Sequence, residues 1–218
     1  MTALRRGPKA FLQTCLPVLA VAGLTFGQSG PSVSKDDGDV FVRVRDAVTA
    51  EESSSSLEFR EIRDLIDTAP LRPGAVRHTF RARLPHCSDE RAEAIWAALR
   101  LKAREPEHFV LVISSTEVVD ESVPLGFIRV PVIDVPGRES FTITEHVMLD
   151  DALRTVLFIQ TDGDFLASNR IEKEDGDWHF VLHYVYDHPK TKDVFDEEMA
   201  TVMYKLLAWA DAELQEEK

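Results

Sequence analysis

Cysteine is scarce in this chain, and the shortage closes off several kinds of chemistry at once. Two cysteines in 218 residues cannot build a disulfide framework. Cys15 and Cys87 lie in segments of different character, and neither stands in a CxxC or Cys/His spacing suited to zinc. Cys87, just ahead of a helical pattern, reads as a small half-buried thiol rather than a nucleophile. Positive charge is short as well: 25 basic residues stand against 38 acidic ones, a net charge of -13. Residues 1–28 hold Arg5, Arg6 and Lys9 and no acid, so the rest of the chain is more acidic still. A phosphate backbone is bound by clustered Lys and Arg, so nucleic acid is excluded as a partner and acidic membrane surfaces are disfavoured. Also missing are a nucleophile elbow, a phosphate-cradling glycine loop and a recognisable catalytic triad. No long uninterrupted apolar run is present either: the nearest, from Ala10 to Gly27, is broken by Gln13, Thr14 and Pro17.

That first segment, residues 1–28, supports two readings. Its basic start followed by an apolar stretch resembles the n-region and h-region of a signal peptide, which would send the protein into the secretory pathway. Equally, it reads as an unstructured leader or a product of gene prediction. A membrane becomes a partner only if this leader is retained as an anchor. Residues 29–74 turn to Ser, Asp, Glu and Pro, including the run Ser53–Ser56, and read as a low-complexity linker. Within it Leu57, Ile62, Leu65 and Ile66 give one short amphipathic pattern, a helix of a turn or two that would dock on the main domain.

From residue 75 to 218 the pattern is dense. Val76–Leu84 alternates as a strand, Ser88 is an N-cap, and Ala92, Ile95, Trp96, Leu99 and Ala103 predict a helix from Asp89 to about Glu105 that Pro106 closes. Six strands follow: Phe109–Val119, Phe127–Val135, Ser140–Leu149, Arg154–Thr161, Phe165–Glu172 and Trp178–Tyr186. Between them Pro136-Gly137, Asp162-Gly163-Asp164 and Asp175-Gly176-Asp177 supply residues tolerant of positive φ, and such short connections favour an antiparallel meander. The last element is a long helix from about Lys192 to Gln215. Its apolar face is drawn by Val194, Phe195, Met199, Val202, Met203, Leu206, Leu207, Ala210 and Leu214. The class is α+β, with about seven antiparallel strands around a C-terminal helix.

Within the first helix of this domain, Trp96, Leu99, Lys102, Ala103, Arg104, Pro106 and Phe109 fall in the pattern W-x-x-L-x-x-K-A-R-x-P-x-x-F. This resembles the signature of the fungal AtaL-like (DUF1857) family, within the START-like or SRPBCC superfamily. Looser agreement continues through Arg129, Glu139, Arg154, Phe158 and Asn169, and the likeness spans roughly residues 76–217. The resemblance implies a helix-grip fold, a curved antiparallel sheet around the terminal helix, enclosing a cavity for a hydrophobic small molecule of fungal secondary metabolism. It also implies a cytoplasmic location.

Strand periodicity selects candidate lining residues. On the last strand Trp178, Phe180, Leu182 and Tyr184 share a face that should look toward the terminal helix, opposite Met199, Met203 and Leu206. Glu145 shares its face with Phe141 and Ile143, and Gln160 shares one with Val156 and Phe158. Inward polar groups would orient a ligand, and Glu145 is the candidate acid or base. A one-residue slip at a bulge would instead send Glu145 to solvent and His146 inward. His179 and His183 lie about 13 Å apart along a strand at about 3.3 Å per residue, too far to chelate one ion. With His146 and His188 they read as surface histidines, and neither metal nor other cofactor is expected. Lys102 and Arg104 end their helix, where their charges suit its dipole and their stems cover apolar surface, or where they gate a pocket mouth. Arg129 and Glu139 are a candidate cross-strand ion pair.

Three functions remain open. The chain binds and carries an apolar intermediate; or it is a cofactor-independent cyclase, dehydratase or isomerase working on one; or, more weakly, it is a module whose groove takes a partner peptide.

Overall fold

Alternation and capping do in the structure what they promise in the sequence. The computed structural model describes residues 39–49, 58–123, 125–187 and 192–216, leaving aside the side chains of 192–195. All of these belong to one compact unit, Val33–Lys218. In chain order the elements are α1 (Val40–Thr49), α2 (Phe59–Thr68), β1 (Val76–Leu84) and α3 (Asp89–Arg104). Then come a single 3-10 turn (Pro106–His108), β2 (Ile113–Asp120), β3 (Gly126–Ile133), β4 (Phe141–Thr142) and β5 (Glu145–Asp150). Last are β6 (Thr155–Gln160), β7 (Phe165–Glu174), β8 (Asp177–Tyr186) and α4 (Lys192–Glu216).

The strands form one antiparallel sheet in the order β1-β8-β7-β6-β5-β3-β2, with β4 paired to β3. This is the helix-grip arrangement: a strand and helix, a meander, and a long terminal helix lying with α3 on one face of the sheet. Ser88 caps α3 by accepting the Arg91 N–H at 3.1 Å, and Pro106 follows the last turn.

Three details depart from the sequence reading. The expected strand Ser140–Leu149 is split into β4 and β5, because its partner on β3 opposite Ile143 is Pro131. Proline has no N–H to give, so the ladder lapses there. Asp162 compensates by accepting the Thr144 N–H at 3.2 Å. The β7–β8 hairpin does use positive φ, at Asp175 (51°) and Gly176 (86°). Gly163 does not; a Cβ there would meet the end of the Gln160 side chain, which would have to turn aside. And β2 begins at Ile113, after the 3-10 turn has taken Pro106–His108.

The sheet is covered on both faces. Its inner face meets α3 and α4 in a core that includes Ile95, Trp96, Leu99, Phe158, Phe180, Leu182 and Leu206. Its outer face meets α1 and α2, where Val40, Phe41, Val44, Phe59, Ile62 and Ile66 pack on Met148, Leu157, Ile159, Leu166 and Val185. The region expected to be a linker with one short helix therefore carries two helices, each with an apolar stripe buried against the sheet. Arg72 ties this cover down, donating to Asp39, Asp164 and Asp187 at 2.7, 2.7 and 2.6 Å, with its guanidinium 5.0 Å from the Phe41 ring centre. The segment 1–28 lies outside the described residues, as do Cys15 and His188. No helix among the described residues is long and apolar enough to cross a membrane.

Candidate functional site

On the inner face, where α3 ends, the apolar core is interrupted by an island of charge. Arg129 on β3 and Glu145 on β5 are direct cross-strand neighbours. Both are 3% exposed. Arg129 Nε and Nη2 donate to the same Glu145 oxygen at 2.8 and 2.7 Å. Its Nη1 donates to the carbonyls of Lys102 and Ala103 at 3.1 and 2.5 Å. Those carbonyls belong to the last turn of α3, which has no intrahelical donors left for them. Arg129 is thus a guanidinium cap on α3, and Glu145 is the counter-ion that makes burying it tolerable.

Lys102 stands beside this pair with no comparable structural duty. It is 3% exposed, and its Nζ sits 4.6 Å from the centre of the Phe158 ring, which Arg129 also covers at 4.7 Å. With the Asn169 amide turned so that its oxygen faces Lys102 Nζ at 2.9 Å, its nitrogen meets the Ser168 carbonyl at 3.2 Å, and both polar ends are satisfied. Burial, followed by the neighbouring charge of Arg129, pulls the Lys102 ammonium down to about 7, against a smaller opposing pull from Glu145. Tyr184 completes the island. Its hydroxyl bonds the Asn169 side chain, and burial pushes it up to about 12.

The sequence candidates separate into groups. Val156, Phe158, Trp178, Phe180, Leu182, Met199 and Leu206 are buried together in the inner core, and Tyr184 and Met203 pack against it while keeping some accessible surface. Glu145 joins them as the acid of the buried pair. Phe141 and Ile143 are half-buried and do not join that cluster. Gln160, opposite Glu145, gives its amide to Asp162 at 3.0 Å in the β6–β7 turn.

Several assignments need correction. The partner of Arg129 is Glu145 and not Glu139, which is exposed on the β3–β4 connection. Lys102 does not lie along the surface; Arg104 does, pairing with Glu121 at 2.6 Å and stacking on Phe127. His146 is not a surface residue but 3% exposed, although Glu145 also faces inward, so no register slip is involved. His183 is half-buried, bonded to Thr79 and Arg170 beside α2. The signal for Lys102 was available: it lies seven residues after Ile95 and three after Leu99, on the buried stripe of α3.

Cys87 is a free, half-buried thiol that burial pushes up from its usual range. Among the described residues no three His, Cys, Asp or Glu side chains gather as a metal would require. Among the described residues, depressions lie between α1 and α2 around Arg43 and Leu65 and beside the β7–β8 turn around Pro85 and Cys87. Neither is lined by Lys102, Arg129, Glu145 or Tyr184.

The family model described as acetylaranotin biosynthesis cluster protein L, AtaL, matches residues 76–212. The chain belongs to the AtaL family. Its matched span begins at β1, leaving α1 and α2 outside, and it includes every member of the charged island. Of the W-x-x-L-x-x-K-A-R-x-P-x-x-F residues, all but Arg104 are buried. Similar solved structures include TTHA0849 from Thermus thermophilus, at 16% identity and TM-score 0.48 over 63% of this chain and 98% of that one. Ara h 8.0201 is similar at 14% and 0.45, over 63% and 99%. The major latex-like protein 151 of Panax ginseng is similar at 12% and 0.45, over 62% and 97%. Among curated proteins none matches the sequence.

Proposed function

We propose that this AtaL-family protein binds a mainly apolar small molecule between α4 and the inner face of its sheet, with the ligand's polar end against Lys102, Asn169 and Tyr184. The observation that carries the reading is Lys102 itself. A buried ammonium costs several kcal/mol unless it is paired, and an apolar side chain of the same length would fill the place more cheaply. Arg129 and Glu145 have a structural reason to be there, as the cap of α3; the lysine has none. Tyr184 adds support: it is deep enough for its hydroxyl to be strongly perturbed, yet its side chain keeps accessible surface, as does that of Met203 on α4. That combination suits side chains that border a space. The family's description names a biosynthesis cluster, which favours an intermediate of secondary metabolism as the ligand.

A second reading is a cofactor-independent cyclase, dehydratase or isomerase. What favours it is an amine held near neutrality at about 7, the range in which proton transfer is efficient. In this reading Lys102 moves the proton, since Glu145 is already engaged by two donors of Arg129. Both readings are tested by titrating the full chain with 1-decanol, an uncharged apolar probe, by calorimetry. Saturable one-to-one binding that is weakened by Met203→Trp, which fills the proposed space, is expected. Absence of saturable binding would overturn the proposal.

A further inference from the structure

One basic group inside the inner core lacks an acidic partner among the described residues. Arg129 and Glu145 neutralise one another, and all the polar nitrogens of Arg129 are occupied by Glu145 and the α3 carbonyls. Lys102 has Asn169 as an oxygen partner and the Phe158 face as a cushion, and no carboxylate among the described residues lies within ion-pair distance of its Nζ. An ammonium offers three donors, so it retains capacity for an acceptor that no described residue supplies. Among the described residues, the charged groups acting on it are Arg129 on β3 and Glu145 on β5, and its hydrogen-bond partner is Asn169 on β7, to which Tyr184 on β8 is also bonded. On α4, Glu198 acts on Tyr184 from farther out.

We infer that the ligand is an acid: an apolar molecule whose carboxylate, or an enolate or phenolate oxygen of like charge, supplies the counter-ion missing from Lys102. This rests on the proposed function above and narrows it to a charge class. A neutral ligand would leave Lys102 either a neutral amine or, once protonated, a cation with no anion of its own. An anionic ligand supplies that anion, and a charge-assisted hydrogen bond in a dry interior is stronger and shorter than a neutral one. Bringing the anion in also brings a proton, because the free amine held near neutrality becomes the ammonium that pairs with it.

The test compares decanoate with 1-decanol on the full chain at pH 8, by calorimetry in two buffers of different ionisation heat. Decanoate should bind roughly ten- to a hundredfold tighter than decanol, the ratio for a hydrogen bond to a charged group. Its binding should take up close to one proton at pH 8 and almost none at pH 6, while decanol binding takes up none at either. Lys102→Met should bring the two affinities together and abolish the uptake. The wild-type comparison needs no variant, and Lys102→Gln gives a second if the methionine protein fails to fold. Equal affinities for the two probes, or proton uptake that survives in the variant, would overturn the inference while leaving apolar binding standing. Binding of neither probe would remove both proposals.

Discussion

Replacing Lys102 by Met should make the protein more stable, by an amount that depends on pH. In the unfolded chain this amine titrates at 10.5, and in the folded protein at about 7. The folded pKa is the lower one, so between pH 7 and 10.5 the unfolded chain holds a proton that the folded chain does not. Stability therefore rises with pH across that window and is lost as pH falls toward 7, by about 1.4 kcal/mol per pH unit. From this linkage, the cost of the buried lysine is about 5 kcal/mol at pH 6, about 4 at pH 7.5 and about 2 at pH 9. Met refunds this less the bond to Asn169, worth about 1 kcal/mol, so a net gain of about 1–4 kcal/mol at neutral pH is expected. Urea unfolding of both proteins at pH 6, 7.5 and 9 measures it. The difference between them should shrink by about 3 kcal/mol from pH 6 to 9. A variant that is less stable at every pH, with a difference that does not change, would refute the claim that the lysine is kept at a structural cost.

Glu145→Ala should act in the opposite sense, because it strands the Arg129 guanidinium without its counter-ion; a loss of about 3–5 kcal/mol in urea unfolding is expected. Removing residues 1–74 should expose the outer face of the sheet, including Leu157, Ile159, Leu166 and Val185, and the product should bind a hydrophobic dye and self-associate, whereas a monomer of undiminished stability would contradict the outer core. His183, half-buried between α2 and the sheet, has its pKa lowered by burial first and by Arg170 and Arg77 after, with Asp67 opposing. The folded state resists its protonation, so stability should fall as pH drops below about 6.5, and His183→Gln should flatten that fall in thermal melts at pH 7 and 5.

Much of the fold was legible because period and punctuation agreed. The alternation of Val76–Leu84, the stripe of α3 between Ser88 and Pro106, and the apolar face of α4 each pointed to one structure. α1 was not legible: it has only ten residues, and its amphipathic pattern sits in an acidic, serine-rich stretch that reads as linker. Its signal lay elsewhere, in β6, where Thr155–Gln160 is buried at every position. A strand without a polar face requires cover on both sides. The inward direction of Glu145 followed from strand alternation, but its partner did not, since Glu139 and Glu145 are both plausible by distance along the chain and only the register of β5 on β3, which sets Arg129 opposite Glu145, decides between them. Lys102 was misjudged because a lysine near a helix C-terminus is usually solvated. Its place on the apolar stripe outweighed that preference.

The central claim is that a ligand's polar end meets the island under α4. The most direct measurement is the carbon-13 spectrum of the full chain, followed through a titration with decanoate at pH 8. Lys102 Cε and the rings of Phe158 and Tyr184 should shift together and saturate at one ligand per chain, while signals from Phe41 and Ile62 on the outer face stay still. Unmoved Lys102, Phe158 and Tyr184 signals, or shifts confined to the α1–α2 side, would contradict it.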